Sequence, residues 1–274
     1  MNEKNNMKKI LLIIPFLICL SCKKETDTNP TEEPAPVTQN DVRINFTNMA
    51  GNTVVSLSKD SVYVGSTPKY LNANNDTFSV SFLKYYISAI RLKKSDGSYF
   101  SEPYDTYSYH LVDAADSSNT CKFSLKNVPL GNYIQLEFSV GVDSLRNVSG
   151  AQTGPLDPIH NMFWTWSQGY IFFKLEGYSS SAPANTVHNI QYDIGGFQNP
   201  YNNIRTFTLS LTAPNLVVVG DHVSDIYIKT DILEAFKTPT AINFSTDPVM
   251  MSLGPGQLIA NNYKDMFTLS LIKN

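Results

Sequence analysis

Apolar residues return at every second position in six stretches of this chain, and that rhythm restricts the fold more than any other feature. The stretches are Val42, Ile44 and Phe46; Phe78, Val80 and Phe82; Ile134, Leu136, Phe138 and Val140; Phe207, Leu209 and Leu211; Ile226 and Ile228; and Phe267, Leu269 and Leu271. Period two places one set of side chains on a core face and the other toward solvent, which is the signature of strands. Turn residues separate the runs: Asp96-Gly97, Pro129 to Asn132, Ala213-Pro214-Asn215 and Gly220-Asp221. No strand–helix–strand rhythm is visible. The pattern predicts an all-β fold, an antiparallel β-sandwich with one or two short helices. One helix is expected where Asp231 can cap a turn carrying Leu233 and Phe236 on one side, with Pro239 ending it. For Leu83 to Ile90 periodicity does not decide between strand and helix. With 15 Tyr, 15 Phe and only 16% charged residues, the chain can fill a large core.

The front of the chain reads as an address. Lys4, Lys8 and Lys9 precede an apolar run from Ile10 to Leu20. That run is too short for a bilayer span, which needs ~20 residues, and it fits the core of a signal peptide. Leu20, Ser21 and Cys22 then form a lipobox, so residues 1–22 are expected to be a lipoprotein signal peptide with lipidation at Cys22. Residues 23–40, rich in Pro, Glu and Thr, read as a disordered tether. The folded domain is expected over residues 41–274. Lys23 after the cysteine does not suggest inner-membrane retention, so the reading is an outer-membrane lipoprotein on its periplasmic or cell-surface face. Of three cysteines only Cys121 lies outside the leader, so no internal disulfide is expected. Net charge is −3 with no basic patch, which argues against a nucleic-acid partner.

The chemistry-bearing residues concentrate between Gly141 and Gly177. Both tryptophans of the chain, Trp164 and Trp166, stand two apart there. Paired indoles can pack a core, stack on a ligand or undergo oxidation. His160 and Met162 are the best soft-metal pair, since imidazole and thioether suit copper(I); two apart on a strand, they would share a side. His110 is a further candidate ligand. Asp143, Asn147 and Asp157 are oxygen donors in a glycine-punctuated loop, a possible calcium set, although Asp and Asn also form ordinary turns. The chain carries no nucleophile elbow, phosphate loop or dinucleotide fingerprint, and no enzymatic activity is expected.

The segment GVDSLRNVSGAQTGPLDPIHNMFWTWSQGYIFFKLEG resembles the signature of the MbnP-like family, copper-associated proteins linked to methanobactin operons. FLKYYISAIRLKKSDGSYF with YHLVD, YDIGGF and IANNYKDMFTLSLIKN resemble other parts of that family, so the likeness spans residues 41–274. The resemblance implies a β-rich periplasmic or surface protein that binds copper. It also implies a tryptophan, Trp164 or Trp166 here, oxidised to kynurenine by a partner di-haem enzyme related to cytochrome c peroxidases. In the family, histidines that look like copper ligands stand where this chain has Asp193 and Asn48. His188, five residues before Asp193, points to the opposite face on a straight strand and does not replace it. Two expectations follow. One is a lipid-anchored, metal-binding protein with copper at the tryptophan motif. The other is a surface binding or structural lipoprotein that has kept the fold and lost the copper site.

Overall fold

The computed structural model describes residues 36–58, 70–116, 121–150, 152–165 and 167–274. The expected leader, Cys22 and most of the tether lie outside them, as does Trp166. Regular structure starts inside the expected tether, at Gln39. The main strands are β1 (Gln39–Ala50), β2 (Thr77–Lys94), β3 (His110–Asp113), β4 (Lys122–Pro129), β5 (Gly131–Val140), β6 (Phe163–Thr165), β7 (Gly169–Ser179), β8 (Asn189–Gly195), β9 (Arg205–Ser210), β10 (Ser224–Asp231) and β11 (Phe267–Lys273). Two short helices, α1 (Ser144–Val148) and α2 (Gly256–Asn262), complete the set together with several 3-10 turns. Among the described residues no helix is long and apolar enough to cross a membrane.

The strands form two curled sheets. The smaller runs β11–β10–β1, with β4 and Thr53–Val54 sharing the far edge of β1. The larger runs β9–β5–β2–β7–β8–Val249–Met250 and takes in β3 and β6 at its margins. The expected sandwich is present, but its sheets are mixed rather than purely antiparallel. β1 pairs with β10 in parallel, Val42 through Met49 against Ser224 through Asp231, and β8 pairs in parallel with Val249–Met250.

Between the sheets lies an aromatic core. Phe267 of the smaller sheet meets the rings of Phe46, Tyr85, Phe138 and Phe207 at centroid distances of 4.8–6.2 Å, all near edge-on. The alternating runs supply most of it: Val42, Ile44, Phe46, Leu136, Phe138, Val140, Ile226 and Ile228 are all buried. Two expectations of period two fail. Leu271 is exposed because a bulge in the β10–β11 ladder inserts a residue between Leu269 and Leu271, so Ile272 turns inward instead. Phe82 is also exposed.

Leu83 to Ile90 proves to be the middle of an 18-residue strand, β2. Its ambiguity has a physical cause. Tyr85, Tyr86 and Ile87 are all buried, because that strand is covered on both faces, and a strand buried on both faces shows no alternation. The expected helix at Asp231 is a 3-10 turn, Ile232–Phe236, with the Asp231 carboxylate accepting from the Leu233 N–H.

Candidate functional site

The outer face of the larger sheet, turned away from the aromatic core, carries the tryptophan motif. The excursion from Val142 to Thr165 folds over this face. It is fastened by Tyr86, whose hydroxyl donates to the Pro155 carbonyl at 2.8 Å, and by Tyr170, whose hydroxyl donates to the Leu156 carbonyl at 2.7 Å. Asn147 locks the other end: its amide donates to the Val142 carbonyl and its oxygen accepts from the Tyr170 N–H at 2.8 Å. Gly169 is required there, since a Cβ on it would lie 2.1 Å from that oxygen. Trp164, in β6, is half-buried and packs against the core. Its indole lies on Gly195: a Cβ at that position would fall 2.7 Å from Cζ3 and 2.4 Å from the Tyr170 carbonyl oxygen. The tryptophan motif and the YDIGG motif, thirty residues apart in the chain, are thus one contact, and the first glycine of the pair is the space the indole occupies.

Strand alternation puts Asp193 on the same face as Gly195. Across the sheet, Asp113, Lys84, Lys174 and Asp193 stand in register on β3, β2, β7 and β8. Lys84 Nζ meets the Asp113 carboxylate at 2.9 Å and donates to the His160 carbonyl at 3.3 Å. Lys174 Nζ meets Asp193 at 2.9 Å and Glu176 at 2.5 Å, and Gln191 donates to the second Asp193 oxygen at 3.0 Å. Asp193 is 2% exposed and the Lys174 side chain 10%. Burial lifts the Asp193 carboxyl above the usual carboxylate range, against the pull of Lys174 and Gln191. Lys84, Lys174, Glu176 and Gln191 were not among the expected site residues. The signal that marks them is a lysine inside the apolar run Ile171 to Leu175, which only a buried partner can support.

Asn48 is elsewhere. Its oxygen accepts from the Tyr85 hydroxyl at 2.9 Å, which also meets Thr230 at 3.0 Å, and its amide points at the Cys121 sulfur at 3.7 Å. Tyr85 faces the inter-sheet core, whereas its neighbour Lys84 faces outward. Asn48 and Asp193 therefore lie on opposite sides of the larger sheet. The residues at the two positions where the resemblance implies copper ligands do not converge, and each is held by its own partners, so they do not fit the metal.

The other candidates are also placed apart. His160 ends a 3-10 turn instead of starting a strand, and its Nε2 sits 3.0 Å from the Gly154 carbonyl. Met162 is buried in the core and cannot share a face with it in the way two strand residues would. His110 stacks flat on Phe123 at 3.6 Å, and its Nε2 meets Glu102 at 2.9 Å. His110 and His160 line one groove of about 430 Å³ with Asp113, Lys122, Phe123 and Pro155. Within that groove His110 shares the inner face of β3 with Val112, while Leu111 and Asp113 face the side of the His160 turn. His188 precedes β8, with Nδ1 at 2.6 Å from the Ala182 carbonyl.

The oxygen residues of the loop serve as caps rather than as one cage. The Asp143 carboxylate accepts from the N–H groups of Leu145 and Arg146 at the start of α1 and from the hydroxyls of Tyr104 and Tyr109. Asp157 caps the 3-10 turn through the Ile159 N–H. Among the described residues no group of three or more His, Cys, Asp or Glu side chains is arranged to hold a metal ion. A separate hollow of about 830 Å³ is lined by apolar side chains, among them Val54, Val55, Leu57, Phe82 and Ala115.

Residues 39–252 match the family model described as MbnP. Among solved structures, the protein titled MbnP from Methylosinus trichosporium superposes with a TM-score of 0.54 at 14% identity, covering 85% of this chain and 99% of that one. At that identity the likeness is one of fold. No curated protein matches.

Proposed function

The chain belongs to the MbnP family, and from that membership we propose that it is an exported, lipid-anchored binding protein rather than an enzyme, with the family's framework retained and the implied copper positions closed. The observation that carries this reading is the separation of Asn48, between the two sheets and bonded to Tyr85, from Asp193, on the far side of the larger sheet and bonded to Lys174. An ammonium 2.9 Å from the Asp193 carboxylate already supplies the positive charge that a metal would bring. The lipobox at Cys22 and the tether after it support attachment to the outer membrane. The apolar hollow beside Phe82 has the size of a small-molecule site and is where a ligand would lodge.

The test is a copper(I) titration of the purified chain against a competing chelator. Asn48→Ala and Asp193→Ala are expected to leave the copper affinity of the parent chain, whatever its value, unchanged. A loss of about tenfold or more in either variant would return those positions to the metal and sink the reading. Replacing Cys22 with Ser should move the protein out of the membrane fraction.

A second reading is supported by Trp164, whose indole is only half-buried. An indole at the surface of a loop-covered face is open to a partner oxidase, and the di-haem peroxidase-like enzyme implied by the resemblance is the candidate. Peptide mapping of protein from its host would show a modified peptide containing Trp164 and Trp166. Two intact indoles in protein made alongside the oxidase would remove this reading.

A further inference from the structure

Lys174, Asp193 and Glu176 form a buried group that the binding reading uses only as the partner that closes the Asp193 position. Their geometry is specific. Lys174 and Asp193 are directly opposite on adjacent strands, with Nζ 2.9 Å from Oδ1. Glu176, on the same face of β7, places Oε1 2.5 Å from the same Nζ. Gln191 donates to Oδ2 of Asp193 at 3.0 Å. The three charged side chains are 10%, 2% and 21% exposed. An ammonium, a carboxyl carbon, a proton acceptor beside that ammonium and a donor aimed at the second carboxyl oxygen are therefore held together, largely out of water.

We infer that Lys174 and Asp193 become joined by an isopeptide bond between Nζ and Cγ, formed by the folded chain itself with Glu176 carrying the protons. The step is a condensation. The Lys174 ammonium gives a proton to the Glu176 carboxylate, which passes it to Oδ1 of Asp193, and the free amine attacks Cγ of the carboxylic acid so formed. Negative charge growing on Oδ2 is met by the Gln191 N–H. Both protons that leave Nζ reach Oδ1 through Glu176, the Cγ–Oδ1 bond breaks, and Oδ1 departs as water. An ammonium and a carboxylate become an amide and water, so charge and atoms balance and no further reactant is needed. Burial favours this outcome, because it replaces two charges in a poorly solvated site with one neutral group. Fixed proximity supplies the rate, as it does for any reaction made intramolecular.

The neighbouring pair is an internal control. Lys84 and Asp113 are also in register and 2.9 Å apart, but the second partner of Lys84 Nζ is the His160 carbonyl, which cannot carry a proton away. That pair stays ionic.

Mass spectrometry of the full chain after proteolysis tests the bond. One branched peptide joining Lys174 to Asp193, lighter than its two parts by one water, is expected, with Lys84 and Asp113 in separate linear peptides. Glu176→Gln should return Lys174 and Asp193 to linear peptides. Asp193→Asn should give the same branched peptide as the parent chain, now with ammonia as the leaving group, which shows that the site survives substitution. Linear Lys174 and Asp193 peptides from the folded parent chain overturn the inference. That result would leave the copper titration untouched, so the two readings fail separately.

Discussion

The two faces of the larger sheet are built on different terms, although the same strands carry both. Tyr85 and Phe173 look toward the smaller sheet and pack among aromatic rings, with one small polar cluster where the Tyr85 hydroxyl meets Asn48 and Thr230. One residue earlier on β2 and one later on β7, Lys84 and Lys174 look the other way, into carboxylates and loop carbonyls. The inner face needs volume and shape, which many apolar sequences can supply. The outer face needs each polar atom matched with a partner, because an unmatched one under the 142–165 excursion has lost its water. The first face makes the fold; the second is where individual substitutions change what the molecule does.

The sharpest way to break the comparison is to empty the centre of the inner face. Phe267→Ala removes the ring shared by Phe46, Tyr85, Phe138 and Phe207. Aromatic truncations in closed cores cost about 3–5 kcal/mol, and a urea-denaturation midpoint should fall accordingly. A loss below about 1 kcal/mol would mean that the sheets do not depend on this contact.

Alkali separates the faces next. Burial raises the phenol of Tyr170, on the outer face, from 10.0 to about 12, while Tyr85, on the inner face, is raised well above 10.0. A raised phenol is protonated in the folded chain where the unfolded chain has already ionised. The stability this gives is complete below pH 10 and is lost as pH rises through about 12. Two pK units correspond to about 3 kcal/mol. The outer cover should therefore loosen first, seen as a change in tryptophan emission before the aromatic circular dichroism of the core collapses. In Tyr170→Phe the early step should vanish; its persistence would place the ionising group elsewhere.

How much of this was readable in the sequence follows the same division. One-sided strands such as β1 were legible, since Val42, Ile44 and Phe46 alternate with half-buried or exposed neighbours. The middle of β2 was not, because cover on both faces erases the alternation that marks a strand. The parallel pairing of β1 with β10 joins residues about 180 positions apart, and no local pattern encodes it. At the candidate site, Trp164 and the YDIGG motif were visible as separate signals. Their contact, through the missing Cβ of Gly195, was not. His160 and Met162 were misjudged for a local reason: Asp157 caps a 3-10 turn around Pro158, so the assumed strand spacing never forms.

That Gly195 contact gives the third test. Gly195→Ala would place a methyl 2.7 Å from the indole and 2.4 Å from a backbone carbonyl, and the carbonyl cannot move aside as a side chain can. Overpacking of this kind costs about 2 kcal/mol. Trp164 should be displaced, shifting the emission of the folded protein, while the inner core keeps its aromatic dichroism. Unchanged emission would show that the two motifs are neighbours without being interlocked.

The smallest effect concerns the oxygen residues of the loop. Asp157 holds one N–H, that of Ile159, at the start of a single 3-10 turn at the surface. Its replacement by Ala should cost about 0.5–1 kcal/mol, the usual worth of a lone cap. Asp143 should cost more, since its carboxylate serves Leu145, Arg146, Tyr104 and Tyr109 together. A calcium cage predicts a different pattern: equal large losses for both variants, each abolished when a chelator has already stripped the parent chain. Caps predict unequal losses that a chelator leaves alone, because the donors being satisfied are backbone N–H groups and phenols that belong to the chain itself.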